Sequence, residues 1–132
     1  MGLEGITMNR EIKFRIWDVT FKSFDYIELK DGRLKSFSGF SYEEPDDGLI
    51  FQQFTGLKDI TGREIYEGDI IKDLDEENLI IEFQNGSFIA NGKTIIPFWS
   101  MLVKNELVQP AMVNSQTFEV VGNVFENPEL LK

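Results

Sequence analysis

Asp31-Gly32, Asn85-Gly86 and Asn91-Gly92 each follow a short segment in which apolar and polar residues alternate. A two-residue type I′ hairpin needs positive φ at both central positions, and an Asx-Gly pair adopts that geometry with the least strain. A chain punctuated in this way is built from short antiparallel strands. Segments 26–30 and 33–37 flank the first pair, and 79–83 and 87–90 flank the second. With 70–72 before them, the later segments describe a β-meander. Four or five short strands so regularly spaced predict a small SH3-like or partly open β-barrel, because curling the sheet protects its edges.

Other stretches extend the pattern. Residues 11–18, EIKFRIWD, alternate Ile12, Phe14 and Ile16 with Lys13, Arg15 and Trp17, which predicts a half-buried strand with its isoleucines and phenylalanine inward. Turn formers and acids fill 38–48, a predicted surface loop that precedes a strand at 49–54. Lys58-Asp59-Ile60-Thr61-Gly62 and Glu67-Gly68-Asp69 predict two further reversals. Segment 98–107 fits a helical stripe in part and is assigned as helix. Residues 117–125 are β-branched and aromatic, with Gly122 marking a bulge or a close backbone approach. Asn127-Pro128 then suits the cap and first position of a terminal helical turn. The expected class is mainly β, with α+β as the alternative: antiparallel N-terminal hairpins, the small barrel and a short C-terminal helical turn. Residues 1–9 are expected to be a flexible extension and 10–132 a single β-rich domain.

Composition narrows the chemistry. The chain has neither cysteine nor histidine, which removes disulfides, thiolate metal sites, the commonest metal ligand and the usual neutral-pH base. Net charge is -10, divided unevenly: residues 1–42 carry seven basic and six acidic groups, residues 43–132 six and seventeen. Such an acidic surface repels phosphate backbones, so direct nucleic-acid binding is disfavoured. With no apolar run of membrane-spanning length and no signal-peptide core, a cytoplasmic location is expected.

Carboxylates are the remaining acid–base groups. Asp73, Asp75 and Glu77 outline part of a calcium loop, yet Asn78 stands where the turn glycine belongs and Gln84 where the bidentate glutamate belongs. A solvated hairpin loop is the better reading, as it is for Glu43, Glu44, Asp46 and Asp47. Asp69, Glu64 and Glu67 could serve as acid or base, but an Asp after Gly at a strand entrance commonly binds turn amides. Gly56, Gly62 and Gly68 follow no phosphate-loop pattern and read as turn residues. No catalytic residue, metal site or cofactor is expected.

Three segments, REIKFRIWD (10–18), FTGLKDITGREIYEGDII (54–71) and EVVGNVFENPELL (119–131), resemble in order and spacing the YopX family of phage and prophage proteins. Segments 37–49 and 90–113 show no such likeness. The resemblance implies a small phage-encoded protein of a bacterial cytoplasm, rich in β-structure, and brings no established activity or catalytic positions.

The expected function is therefore that of a non-enzymatic accessory protein that binds an unidentified phage or host protein. Trp17, Tyr66 and Trp99 are the candidate contact residues, because exposed aromatics dominate interface energetics. Trp17 is the foremost: if Ile12, Phe14 and Ile16 face the core, alternation places it outward, where a foreign partner or a second subunit could cover it. Tyr66 and Trp99 read better as core or rim aromatics. Three alternatives remain: an acidic nucleic-acid mimic that occupies a host DNA- or RNA-binding protein, a metal-dependent hydrolase built on Asp69 and the 73–77 acids, and a self-assembling homo-oligomer.

Overall fold

The computed structural model describes residues 11–36, 48–72, 77–92, 95–97 and 118–131. They form ten strands: β1 (Lys13–Asp18), β2 (Ser23–Lys30), β3 (Arg33–Ser36), β4 (Leu49–Lys58), β5 (Glu64–Tyr66), β6 (Asp69–Lys72), β7 (Asn78–Gln84), β8 (Ser87–Asn91), β9 (Ile95–Pro97) and β10 (Glu119–Asn123). A 3-10 turn follows at Pro128–Leu131. The strands make two antiparallel five-stranded sheets, ordered β3-β2-β1-β4-β5 and β10-β6-β7-β8-β9. The class is mainly β, as expected. The second sheet contains the meander, and no barrel closes among the described residues. Nor is any helix there long and apolar enough to cross a membrane.

Local chemistry explains the reversals. Asp31-Gly32 and Asn85-Gly86 carry φ of 52° and 75°, and of 51° and 84°, so both hairpins turn as the dipeptides require. Asn91-Gly92 differs: Asn91 ends β8 and Gly92 is not in the left-handed region. A Cβ at Gly92 would run into Leu79 and Glu77, so close packing accounts for this glycine. At Gly122 the register with β6 shifts, and a Cβ would come within 2.6 Å of Asn127 Oδ1. The bulge is as expected, and what packs closely on Gly122 is the Asn127 side chain. Asn127 turns its side chain back, accepting from Asn123 N–H at 3.3 Å, while Leu130 N–H reaches the Asn127 carbonyl at 3.1 Å. The predicted loop at 38–48, apart from Gly48, and the predicted helix at 98–107 lie outside the described residues.

Buried apolar residues lie on both sheets, and one cluster centres on the second. Ile71, Leu79, Ile81, Ala90, Phe118 and Val120 are buried in one cluster with Ile65 of β5. Full burial of such a side chain contributes on the order of 2 kcal/mol. The first sheet meets the second differently. β1 is its central strand, pairing β2 through Phe14↔Ile27 and Ile16↔Asp25, and β4 through Phe14↔Gln53 and Ile16↔Phe51. Arg15, Ile16 and Trp17 are all buried, so both faces of β1 are covered at its middle. Arg15 and Trp17 reach Asp69 and Phe125, which makes their face the one toward the second sheet, while Lys13 reaches Glu64 of β5 within its own sheet. Ile16 is buried as expected, but the expected outward placement of Arg15 and Trp17 is not found. Alternation gives a strand's period but cannot distinguish a solvent face from one covered by polar and aromatic partners.

Candidate functional site

Residues 59–69 bridge the two sheets, and an aspartate anchors each end. Asp59 Oδ1 accepts from Thr61 N–H (2.8 Å), Thr61 Oγ1 (2.6 Å) and Arg63 N–H (2.9 Å), which folds the β4–β5 turn. Its Oδ2 accepts from Val120 N–H of β10 at 2.8 Å, tying that turn to the second sheet. Burial pushes the Asp59 carboxyl up, but the Thr61 hydroxyl and the Val120, Arg63 and Thr61 amides together hold it below the ordinary 3.8. A depressed folded value stabilises the protein above the unfolded value, and that contribution is lost as pH falls through the folded one. Asp59→Asn opposes an amide nitrogen to one of these N–H donors and should cost about 2 kcal/mol at pH 7. In urea titrations the gap from wild type should narrow below about pH 4; a gap constant with pH would contradict the assignment.

Asp69 is the second anchor. Its Oδ2 accepts from Tyr66 N–H at 2.8 Å, and its Oδ1 lies 2.6 Å from Arg15 Nη1, with the two side chains 1% and 4% exposed. That contact is an ion pair whose N–H is not aligned as a hydrogen bond. Arg15 is otherwise well furnished. Its Nε donates to Gln52 Oε1 at 2.7 Å and its Nη2 to the Glu67 carbonyl at 3.2 Å. Its guanidinium lies 4.6 Å from the Phe24 ring centre and 5.1 Å from that of Tyr66. Burial pushes the Asp69 carboxyl above its ordinary value, and Arg15 and the Tyr66 N–H only partly oppose it. Both oxygens face protein groups, Oδ1 the Arg15 guanidinium and Oδ2 the Tyr66 amide, so Asp69 links the sheets. Among the described residues no three acids converge on a metal-binding cluster. Asp73–Glu76 lie outside them.

Tyr66 is buried, as its core reading required. Its hydroxyl donates to Glu64 Oε1 at 3.1 Å, and burial, then Glu64, drives its pKa up. Lys13 joins the same group, 2.5 Å from Glu64, and that bond raises its pKa. Trp17 is only 7% exposed, which corrects its expected outward placement. It stacks on Phe125 at 5.1 Å with planes 5° apart and tilts against Phe24 at 4.8 Å. It is therefore a packing residue. Trp17→Phe should cost about 1 kcal/mol, and in a Trp99→Phe background Trp17 emission should resist acrylamide; free quenching would contradict its burial. Trp99 lies outside the described residues.

Between the sheets lies a shallow, open cleft of about 330 Å³, lined among others by Ile50 and Gln52 of β4, Glu67 and Gly68, and Glu82 and Phe83 of β7. Its cause is a change of pairing partner at Gly68. Tyr66 pairs Phe54, and Glu67 N–H reaches the Gln53 carbonyl at 2.9 Å. Gly68 N–H instead reaches the Ile81 carbonyl at 2.6 Å, and Ile70 pairs Ile80. The two strands this segment serves therefore diverge beyond Gln53 and Ile81. Ile50, Phe51 and Phe83 are exposed at the cleft. Sequence reasoning missed them, although the consecutive apolar Leu49-Ile50-Phe51 was a signal: in a period-two strand such a run must place an apolar side chain on each face.

The sequence model of one protein family, described as YopX protein, matches residues 13–132. No curated protein matches the chain. Among solved structures, protein EF1440 from Enterococcus faecalis is similar: 23% identity, a TM-score of 0.59, and coverage of 94% of this chain and 100% of that one. At that identity the likeness concerns the fold.

Proposed function

The chain belongs to the YopX family, and from that membership and the open cleft between its sheets we propose a non-enzymatic accessory protein, of phage or prophage origin, that binds another protein. The observation that carries this reading is the exposure of Ile50, Phe51 and Phe83 around one recess. Apolar groups collected around a concavity gain most from being covered by a partner. The buried ionisable groups Arg15, Asp59 and Asp69 are meanwhile engaged in joining the sheets.

A photo-crosslinking residue placed at Phe83 tests the reading in a bacterial host carrying the phage or prophage, with the same residue at Phe21 as a comparison. Phe21 is 79% exposed on the β1–β2 turn, away from the cleft lining. A discrete protein adduct at Phe83 that is absent at Phe21 is the expected result. No protein adduct at either position would overturn the interaction role.

A further inference from the structure

We propose that the cleft binds an extended basic segment of a partner protein, added as a strand beside the end of β7 that β6 leaves unpaired; this rests on the interaction role above and specifies its chemistry.

Hairpin parity supplies the first argument. The two-residue Asn85-Gly86 loop closes on Gln84↔Ser87, which in a type I′ hairpin is a hydrogen-bonded pair. Glu82↔Ile89 is then the next such pair, while Ile81 and Phe83 direct their N–H and C=O away from β8. The Ile81 carbonyl is taken by Gly68 N–H. Pairing with the neighbouring segment stops there, so the main chain of Phe83 faces the cleft beyond the last rung. The N–H and C=O of Phe83 there can receive an incoming strand.

Charge supplies the second. Glu67 and Glu82 both line the cleft. Glu67 Oε1 accepts from Gln53 N–H at 3.3 Å, and Glu82 accepts from Gln84 Nε2 (3.1 Å) and Asn91 Nδ2 (2.7 Å). Those donors are neutral and fix the carboxylates in place. Neither meets a Lys or Arg among the described residues, and the chain carries a net charge of -10. A strand presenting lysine or arginine to these carboxylates, and alternate apolar side chains to Ile50 and Phe83, complements both features. An acidic strand would be repelled.

The probe is a synthetic ten-residue peptide of alternating lysine and valine, titrated into the full chain by fluorescence anisotropy. Its controls are an alternating glutamate–valine peptide and a lysine–valine peptide N-methylated at every second amide. The lysine–valine peptide should bind, with at least about tenfold weaker binding of both controls and of the parent peptide to Glu82→Gln. Hydrogen exchange at the Phe83 amide should slow by about tenfold or more on binding. Equal binding of the methylated or acidic peptide, an unchanged Phe83 amide, or a cleft already closed by a second copy in light scattering would each overturn the proposal. If the peptide does not bind while the Phe83 crosslinker captures a protein, strand addition fails and the interaction role stands. If both are silent, both fail.

Discussion

Arg15→Met is expected to lower the unfolding free energy by about 3–5 kcal/mol, because it strands a carboxylate that is 1% exposed. Asp69→Asn should cost roughly half as much. The asymmetry follows from what each group keeps. Without its negative partner, Arg15 still has Gln52 Oε1, the Glu67 carbonyl and the faces of Phe24 and Tyr66. The asparagine can still accept from Tyr66 N–H. Without Arg15, Asp69 retains only that one amide. In equilibrium urea unfolding the double variant should cost less than the sum of the singles by about 1–3 kcal/mol, since the two side chains are in contact. Strict additivity would mean that the pair does not join the sheets.

The pH dependence sharpens the same prediction. Burial already raises the Asp69 carboxyl, and removing Arg15 raises it further. For an acid whose folded value exceeds its unfolded one, the folded state holds the proton more tightly. Stability is then lost as pH rises from the unfolded value, near 3.8, through the folded one. Arg15→Met should therefore recover stability on acidification, as Asp69 takes up the proton that replaces its partner. A deficit independent of pH would place the cost in packing alone.

How much of this was legible in the sequence depended on the range of the interaction. Asp31-Gly32 and Asn85-Gly86 act through their own backbone, and their hairpins were readable. Gly122 was readable too, because a glycine inside a strand has few explanations. The covered second face of β1 was not. Lys13, Arg15 and Trp17 look like an outer face until Glu64, Asp69 and Phe125, each more than fifty residues on, are brought against them. For the same reason the candidate contacts Trp17 and Tyr66 are interior. The cleft joins Ile50 to Phe83 through a change of pairing partner at Gly68, and no local pattern encodes that. The three segments that carry the family resemblance converge on this junction: Arg15 and Trp17 from the first, Asp59, Gly68 and Asp69 from the second, Val120 and Phe125 from the third. What the motifs describe is therefore the connection between sheets, which explains why they identify the family without revealing a reaction.

Gly68→Ala is the second substitution expected to be severe, at about 2–5 kcal/mol, and two separate penalties add in it. Its φ of +85° is one that residues with a side chain adopt at a cost of about 1–2 kcal/mol. The new methyl would also fall inside the Gln52 side-chain amide, forcing a shift worth about 1–3 kcal/mol in a packed interior. Gln52 cannot yield freely, because its Oε1 holds Arg15 Nε. The overlap therefore propagates into the ion pair that joins the sheets. Removing the obstruction separates the two penalties. Gln52→Ala alone should cost about 1–2 kcal/mol through the unmatched Arg15 Nε. In that background Gly68→Ala should cost only the backbone part, about 1–2 kcal/mol. Denaturant midpoints of the four proteins measure the difference. If Gly68→Ala costs the same with and without the Gln52 side chain, the glycine serves the turn alone and the close approach of β4 carries no energy.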